Sequence, residues 1–290
     1  MKTKFIMTMA VAAMTLAACS NNDNDADNWN GEIRLSSGLV VQSRANKDVP
    51  DKQIAENQTV KVVVTKQNGD TKDYAGYNLD FTADGNGGLS NANTTMYYPT
   101  SGKGVNICAY HPADAGTSFS VEADQSTDAN YYKSDLLYSA ANDYPRKKEA
   151  LSLSFTHKLC KVKYTLMVGT GGPNLGKATV QWLNVDKTIG FTAATGDVAT
   201  PIDAVAITPN ATYGAIIVPQ TVKADTKLLQ VTLENGGVLY YTPTVDQIFE
   251  SGKEYTYEIT VNLTKLDVTS FIDNWISVGK EPIKGNATME

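Results

Sequence analysis

Apolar residues downstream of Gly31 recur at every second position, and no stretch keeps helical spacing through three or four turns. That pattern predicts an all-β chain. In the first half it predicts strands over 33–41, 60–66, 74–81, 95–98, 105–110 and 136–139, punctuated by clusters such as Asp84-Gly85-Asn86-Gly87-Gly88. In the second half it predicts a long strand from Leu151 and further strands over 179–185, 214–218, 228–233, 238–241 and 255–263, with Asn235-Gly236-Gly237 as a hairpin turn. Pro145 and the charge run Arg146 to Glu149 interrupt the apolar pattern, and the boundary between two sandwiches is placed there, giving 32–145 and 146–265. Leu151, Leu153 and Phe155 are odd-numbered, whereas Val162, Tyr164, Leu166 and Val168 are even-numbered. One face stays buried across both sets only if the register slips, so a bulge is expected between His157 and Cys160.

The N-terminus differs from everything after it. Lys2 and Lys4 precede an uncharged run over 5–16, too short to cross a bilayer as a helix but suited to a signal peptide. Leu16-Ala17-Ala18-Cys19 ends it in the manner of a bacterial lipoprotein signal, with 1–18 removed and Cys19 carrying the lipid; the alternative is an ordinary secretory signal cleaved nearby. Residues 19–31 read as a polar tether rich in Asn and Asp. Asp23, Asp25 and Asp27 imitate the start of a calcium loop, but Asn28 and Arg34 stand where its glycine and closing Glu belong. With 25 Lys and Arg against 31 Asp and Glu, the net charge of -6 disfavours a nucleic-acid partner.

Two His and three Cys leave little for metal or acid/base chemistry. Gly171, Gly176 and Lys177 stand at P-loop spacing, yet Ala178 replaces the magnesium-binding hydroxyl and a strand follows where a helix belongs. Cys108 with His111, and His157 with Cys160, imitate zinc-ligand pairs, but residues three apart on a strand face opposite sides. A Cys108 to Cys160 disulfide is left open. No G-x-S-x-G elbow is present, and no catalytic residue, metal site or cofactor is assigned.

Past the strictly alternating strand ending at Leu263, the chain continues with Leu266, Val268, Ile272, Ile276 and Val278 on one parity. The first strand carries nearly the same pattern in Ile33, Leu35, Leu39 and Val41, with Ser37 matching Ser270. Two readings stand: both segments are edge strands of their own domains, or both fit one groove. Four or five buried aliphatic side chains amount to roughly 6 to 15 kcal/mol before ordering costs, and ladder bonds would add specificity.

Taken in order, Glu32-Ile33-Arg34-Leu35, Asp135-Leu136-Leu137-Tyr138, Leu151-x-Leu153-x-Phe155-x-His157-Lys158-Leu159, Ile216-Ile217-Val218-Pro219-Gln220 and the stretch from Gly252-Lys253 to Trp275 resemble the fimbrillin family of pilus subunits from anaerobic gut and oral bacteria. The resemblance implies two transthyretin-like (Greek-key) β-sandwich domains in tandem, and export as an outer-membrane lipoprotein. It also implies proteolytic removal of the N-terminal segment after a basic residue, here best matched by Arg44, with Arg34 and Arg146 as the other arginines. The emptied groove is then filled by a strand from another pilus subunit, of the same or another kind, for which 266–290 is the candidate donor. A structural subunit or tip adhesin of a surface fimbrium follows, with a host or bacterial receptor as a further partner. The alternative is a monomeric surface lipoprotein that binds glycans on exposed aromatics, although Trp29, Trp182 and Trp275 are scattered.

Overall fold

The computed structural model describes residues 29–39, 53–275 and 281–286. The first half folds as β1 (Leu35–Leu39), β2 (Thr59–Lys66), β3 (Tyr77–Ala83), β4 (Leu89–Ser90), β5 (Val105–His111), β6 (Ser118–Ser120), α1 (Asp128–Lys133), β7 (Leu137–Tyr144) and β8 (Leu151–His157). The second continues as β9 (Cys160–Val168), β10 (Thr179–Thr192), β11 (Asp197–Ile207), β12 (Ala215–Ile217), β13 (Gln220–Val222), β14 (Leu229–Thr232), β15 (Val238–Tyr241), β16 (Gln247–Phe249), β17 (Lys253–Val261), β18 (Leu266–Asn274) and β19 (Glu281–Asn286).

A seven-stranded sheet in the order β1-β8-β7-β5-β2-β3-β4 forms the first lobe. Val60, Val62 and Val64 alternate inward on β2, and Leu153 and Phe155 do the same on β8. The sheet bends far enough that Ser37 of β1 donates its N–H to the Gly87 carbonyl beyond β3, at 2.8 Å. The second lobe is a sandwich of β11-β10-β14-β15, joined by β6 on β10, over β12-β9-β17-β18-β19. Fully buried Trp182 from one sheet meets Tyr257 from the other edge-to-face at 4.9 Å, and a continuous apolar core surrounds them.

Three expectations change. The parity switch after Phe155 is no bulge: β8 ends in the first sheet at His157, and β9 begins in another sheet at Cys160. A chain that crosses between sheets resets which parity faces the core. The change of sheet therefore falls at Lys158 and Leu159, and the Pro145 to Glu149 charge run is the β7–β8 turn. Residues 95–98 form no strand, only an isolated bridge from Tyr97 to Glu32. The unexpected β11 is an outer strand in which only Ile207 is buried, so it carries no alternating signal. Pro201, with Thr200 and Asp203 at φ of 57° and 68°, interrupts its outer edge against further pairing.

The lobes interlock through the long β10–β11 hairpin. Ser120 of β6 pairs with Thr188, Phe191 packs edge-to-face on Tyr110 at 5.4 Å, and the Tyr138 hydroxyl donates to Ala194 O at 3.0 Å. Gly196, at φ +71°, lies so close to the Tyr138 ring that a Cβ would overlap it. Gly196→Ala is expected to cost about 2 to 4 kcal/mol, combining left-handed strain with overpacking. A lowered Tm checks this, and an unchanged Tm would show that the hairpin tip is not held.

Candidate functional site

The first strand sits in a slot bonded on both flanks. Against β8 it runs parallel, from Leu35 opposite Leu151 to Leu39 opposite Phe155, and Leu151 N donates to Arg34 O at 2.9 Å. On the other flank Ile33 N donates to Met96 O, Tyr98 N to Gly31 O and Ser37 N to Gly87 O, each at 2.8 Å. Ile33 is buried, Leu35 is half-buried, and Arg34 is exposed and ion-paired to Glu32 at 3.1 Å. Val41, Arg44 and the lipidation candidate Cys19 lie outside the described residues.

The far flank is itself braced. The Tyr74 hydroxyl donates to Tyr97 O at 2.8 Å, and Tyr97 N donates to the Tyr77 hydroxyl at 3.0 Å, which fixes the segment that bonds Gly31 and Ile33. Gly87 has φ +93°, and a Cβ there would stand 2.8 Å from Ser37 O, so the slot requires glycine at that position. Asp84 holds the turn by accepting from Asn86 N at 2.7 Å and Gly88 N at 2.8 Å. Those backbone bonds keep its carboxyl below the ordinary 3.8. Because the folded value is the lower one, the turn's stabilisation is complete above 3.8 and is lost as pH falls through the folded value. The Ser37 amide should lose hydrogen-exchange protection in that window, and Asp84→Asn, which accepts the same bonds without titrating, should flatten the dependence. Protection that falls equally in both proteins would exclude Asp84 as the cause.

The C-terminal segment is not a loose appendix. β18 pairs with β17 through nine residue pairs, from Lys253 opposite Asn274 to Val261 opposite Leu266. Leu266, Val268 and Ser270 are buried in the chain's own sandwich and Ile272 is half-buried, whereas Ile276 and Val278 lie outside the described residues. β19 pairs antiparallel with β18 and is the outermost strand of its sheet.

Between the lobes, residues distant in sequence converge. His157, at the end of β8, donates from Nδ1 to Asp135 Oδ1 at 2.9 Å and stacks on Trp275 with ring centroids 3.8 Å apart and an 11° interplanar angle. Trp275 donates its backbone N–H to Gly252 O at 2.7 Å. The fully buried Lys161 ammonium lies 6.0 Å from the Trp275 ring centroid and 3.6 Å from Glu254, which also pairs with Lys163 at 3.3 Å. Asp135, His157 and Trp275 each belong to a different one of the ordered sequence motifs. That order was the available signal, but nothing local to any one motif indicated their meeting.

The other singled-out residues have structural surroundings. His111 faces the Thr59 carbonyl at 2.8 Å and the Tyr132 carbonyl at 3.2 Å. Cys108 and Cys160 are free thiols, and burial raises the pKa of both, Cys160 strongly. Neither is disposed to act as a thiolate nucleophile. Lys177 pairs with Glu234 at 2.7 Å, and the glycine loop before it leads into strand β10. Trp182 and Trp275 are buried, so neither offers a stacking platform to a glycan.

Comparison with known proteins places this geometry in a family. A family model described as fimbrillin-like matches residues 43–275. The Bacteroides uniformis protein named "Putative fimbrium subunit Fim1C" is 25% identical across 99% of this chain and 100% of its own length. A crystal structure of a "putative cell adhesion protein" from Bacteroides uniformis matches with a TM-score of 0.65 at 20% identity, over 85% of this chain and 99% of that one. The tip fimbrial protein Mfa3 of Porphyromonas gingivalis, with a C-terminal truncation, matches with a TM-score of 0.50 at 8% identity, over 84% of this chain and 100% of that one. The chain belongs to the fimbrillin-like family, whose members are structural subunits of cell-surface fimbriae.

Proposed function

We propose that this fimbrial subunit is exported as an outer-membrane lipoprotein on Cys19, clipped after Arg44, and polymerised by strand exchange into a surface fimbrium, as a stalk subunit or tip adhesin. Its two lobes are read as transthyretin-like sandwiches. The observation that carries the proposal is the first strand's hydrogen bonding on both flanks, to β8 on one side and to Gly87 and Met96 on the other. A strand so placed is a plug, and its removal opens a slot with two unsatisfied rims that an extended segment of a second subunit fills by β-augmentation.

The donor is the C-terminal tail beyond Trp275, which includes β19, because β18 completes its own subunit's core. The predicted donor residues Leu266, Val268 and Ile272 then act from home by holding the tail's base. N-terminal sequencing of assembled surface material should give Ala45 as the first residue, and gels should show SDS-resistant ladders. A single lipidated full-length band without ladders would overturn the proposal.

A further inference from the structure

We propose that Asp135, His157 and Trp275 form a root clamp that pins the C-terminal end of β18 to the first lobe, so that exchange of the tail beyond Trp275 does not peel β18 from β17. The inference rests on the reading that the tail is the exchanged segment. Trp275 is the last described residue before the tail, and it is 2% exposed. One face of its ring covers the His157 imidazole, and the Lys161 ammonium lies within cation–π range. The imidazole is oriented in turn by Asp135 at 2.9 Å, and its Nε2 has no hydrogen-bond partner among the described residues. The Trp275 N–H bond to Gly252 O closes the ladder at the point where the tail leaves.

An antiparallel ladder pulled from one end opens one pair at a time, starting here at Lys253 and Asn274. The stack sits at that end and ties it to His157 of the neighbouring sheet, so once β19 is released a pull on the tail meets a buried ring before it meets the first β17–β18 ladder bond. His157 also lies two residues beyond Phe155, the last residue paired with β1. The strand that lines the slot therefore also anchors the tail. Asp135 and His157 are positioning residues in this arrangement, since they act through Trp275.

Hydrogen exchange by mass spectrometry on the full chain tests the clamp without requiring assembly. Trp275→Ala should speed exchange in the segment 270–275 about tenfold, leave β14 (Leu229–Thr232) unchanged, and be largely restored by Trp275→Phe. Val62→Ala, a buried control on β2 of the other lobe, should lower Tm without this local effect. Unchanged exchange at 270–275 in Trp275→Ala, or an equal rise in the Val62→Ala control, would overturn the clamp. Ladder formation should also slow about tenfold in Trp275→Ala. Faster local exchange with normal ladders would overturn the clamp's part in assembly. Normal ladders after deletion of 276–290 would instead overturn the tail as donor, and the exchange result would still decide the clamp.

Discussion

Deleting residues 276–290 should leave a folded monomer that forms no ladders, whereas deleting 266–290 should leave a chain that does not fold. The first truncation stops after Trp275 and removes β19, an outer strand paired along one side only. The second takes Leu266, Val268 and Trp275 out of the core, together with nine residue pairs of β17–β18 ladder. At about 1.5 to 3 kcal/mol for each buried side chain, those three alone approach the whole stability of an ordinary domain. Circular dichroism and gel filtration separate the folded from the unfolded product, and mixing each with processed subunits reads ladder formation. A truncation at 276 that still polymerises would place the donor elsewhere. A folded protein lacking 266–290 would show that β18 is dispensable at home and available for exchange.

Much of this architecture could be read from alternation. β2, β5, β15 and β17 have side chains that face the core at every second position, and each lies within two residues of its expected bounds. Where both faces of a strand are wet, as on β11, alternation gave no signal. Where the chain changed sheets, at Lys158 and Leu159, alternation gave a true signal with the wrong cause, because a bulge and a sheet crossing both reset parity. The similarity between the first strand and 266–274 lies in their alternating sequence pattern: Ile33 is buried and Leu35 half-buried on one, and Leu266 and Val268 are buried with Ile272 half-buried on the other. It could not reveal that β18 already had a partner in β17, because pairing is a property of three-dimensional neighbours. The two-flanked slot was equally hidden: Gly87 and Met96 contribute carbonyl oxygens, which carry no sequence signature.

Replacing Arg44 by Ala should hold the subunit as a monomer with its first strand in place. The slot accommodates one strand, and in the uncut chain that strand is covalently attached, so it competes at an effective concentration in the millimolar range against any segment arriving from another molecule. Its hold is specific, with β8 on one flank and the Gly87 and Met96 carbonyls on the other. An incoming strand must displace all of these contacts before making its own, and equal gains cannot outweigh the attached strand's advantage in concentration. On the proposed mechanism, cleavage would remove that advantage: the plug would become a separate peptide that dilutes away once it leaves, and the rims beside Leu153 and Phe155 would then favour another subunit's strand. The R44A protein should therefore melt at a higher temperature than processed monomer and give no ladders. Moving the basic residue one position along, in R44A/A45R, should restore both cleavage and ladders. Ladders formed by R44A subunits that retain their N-terminal residues would mean that the slot is not where subunits join.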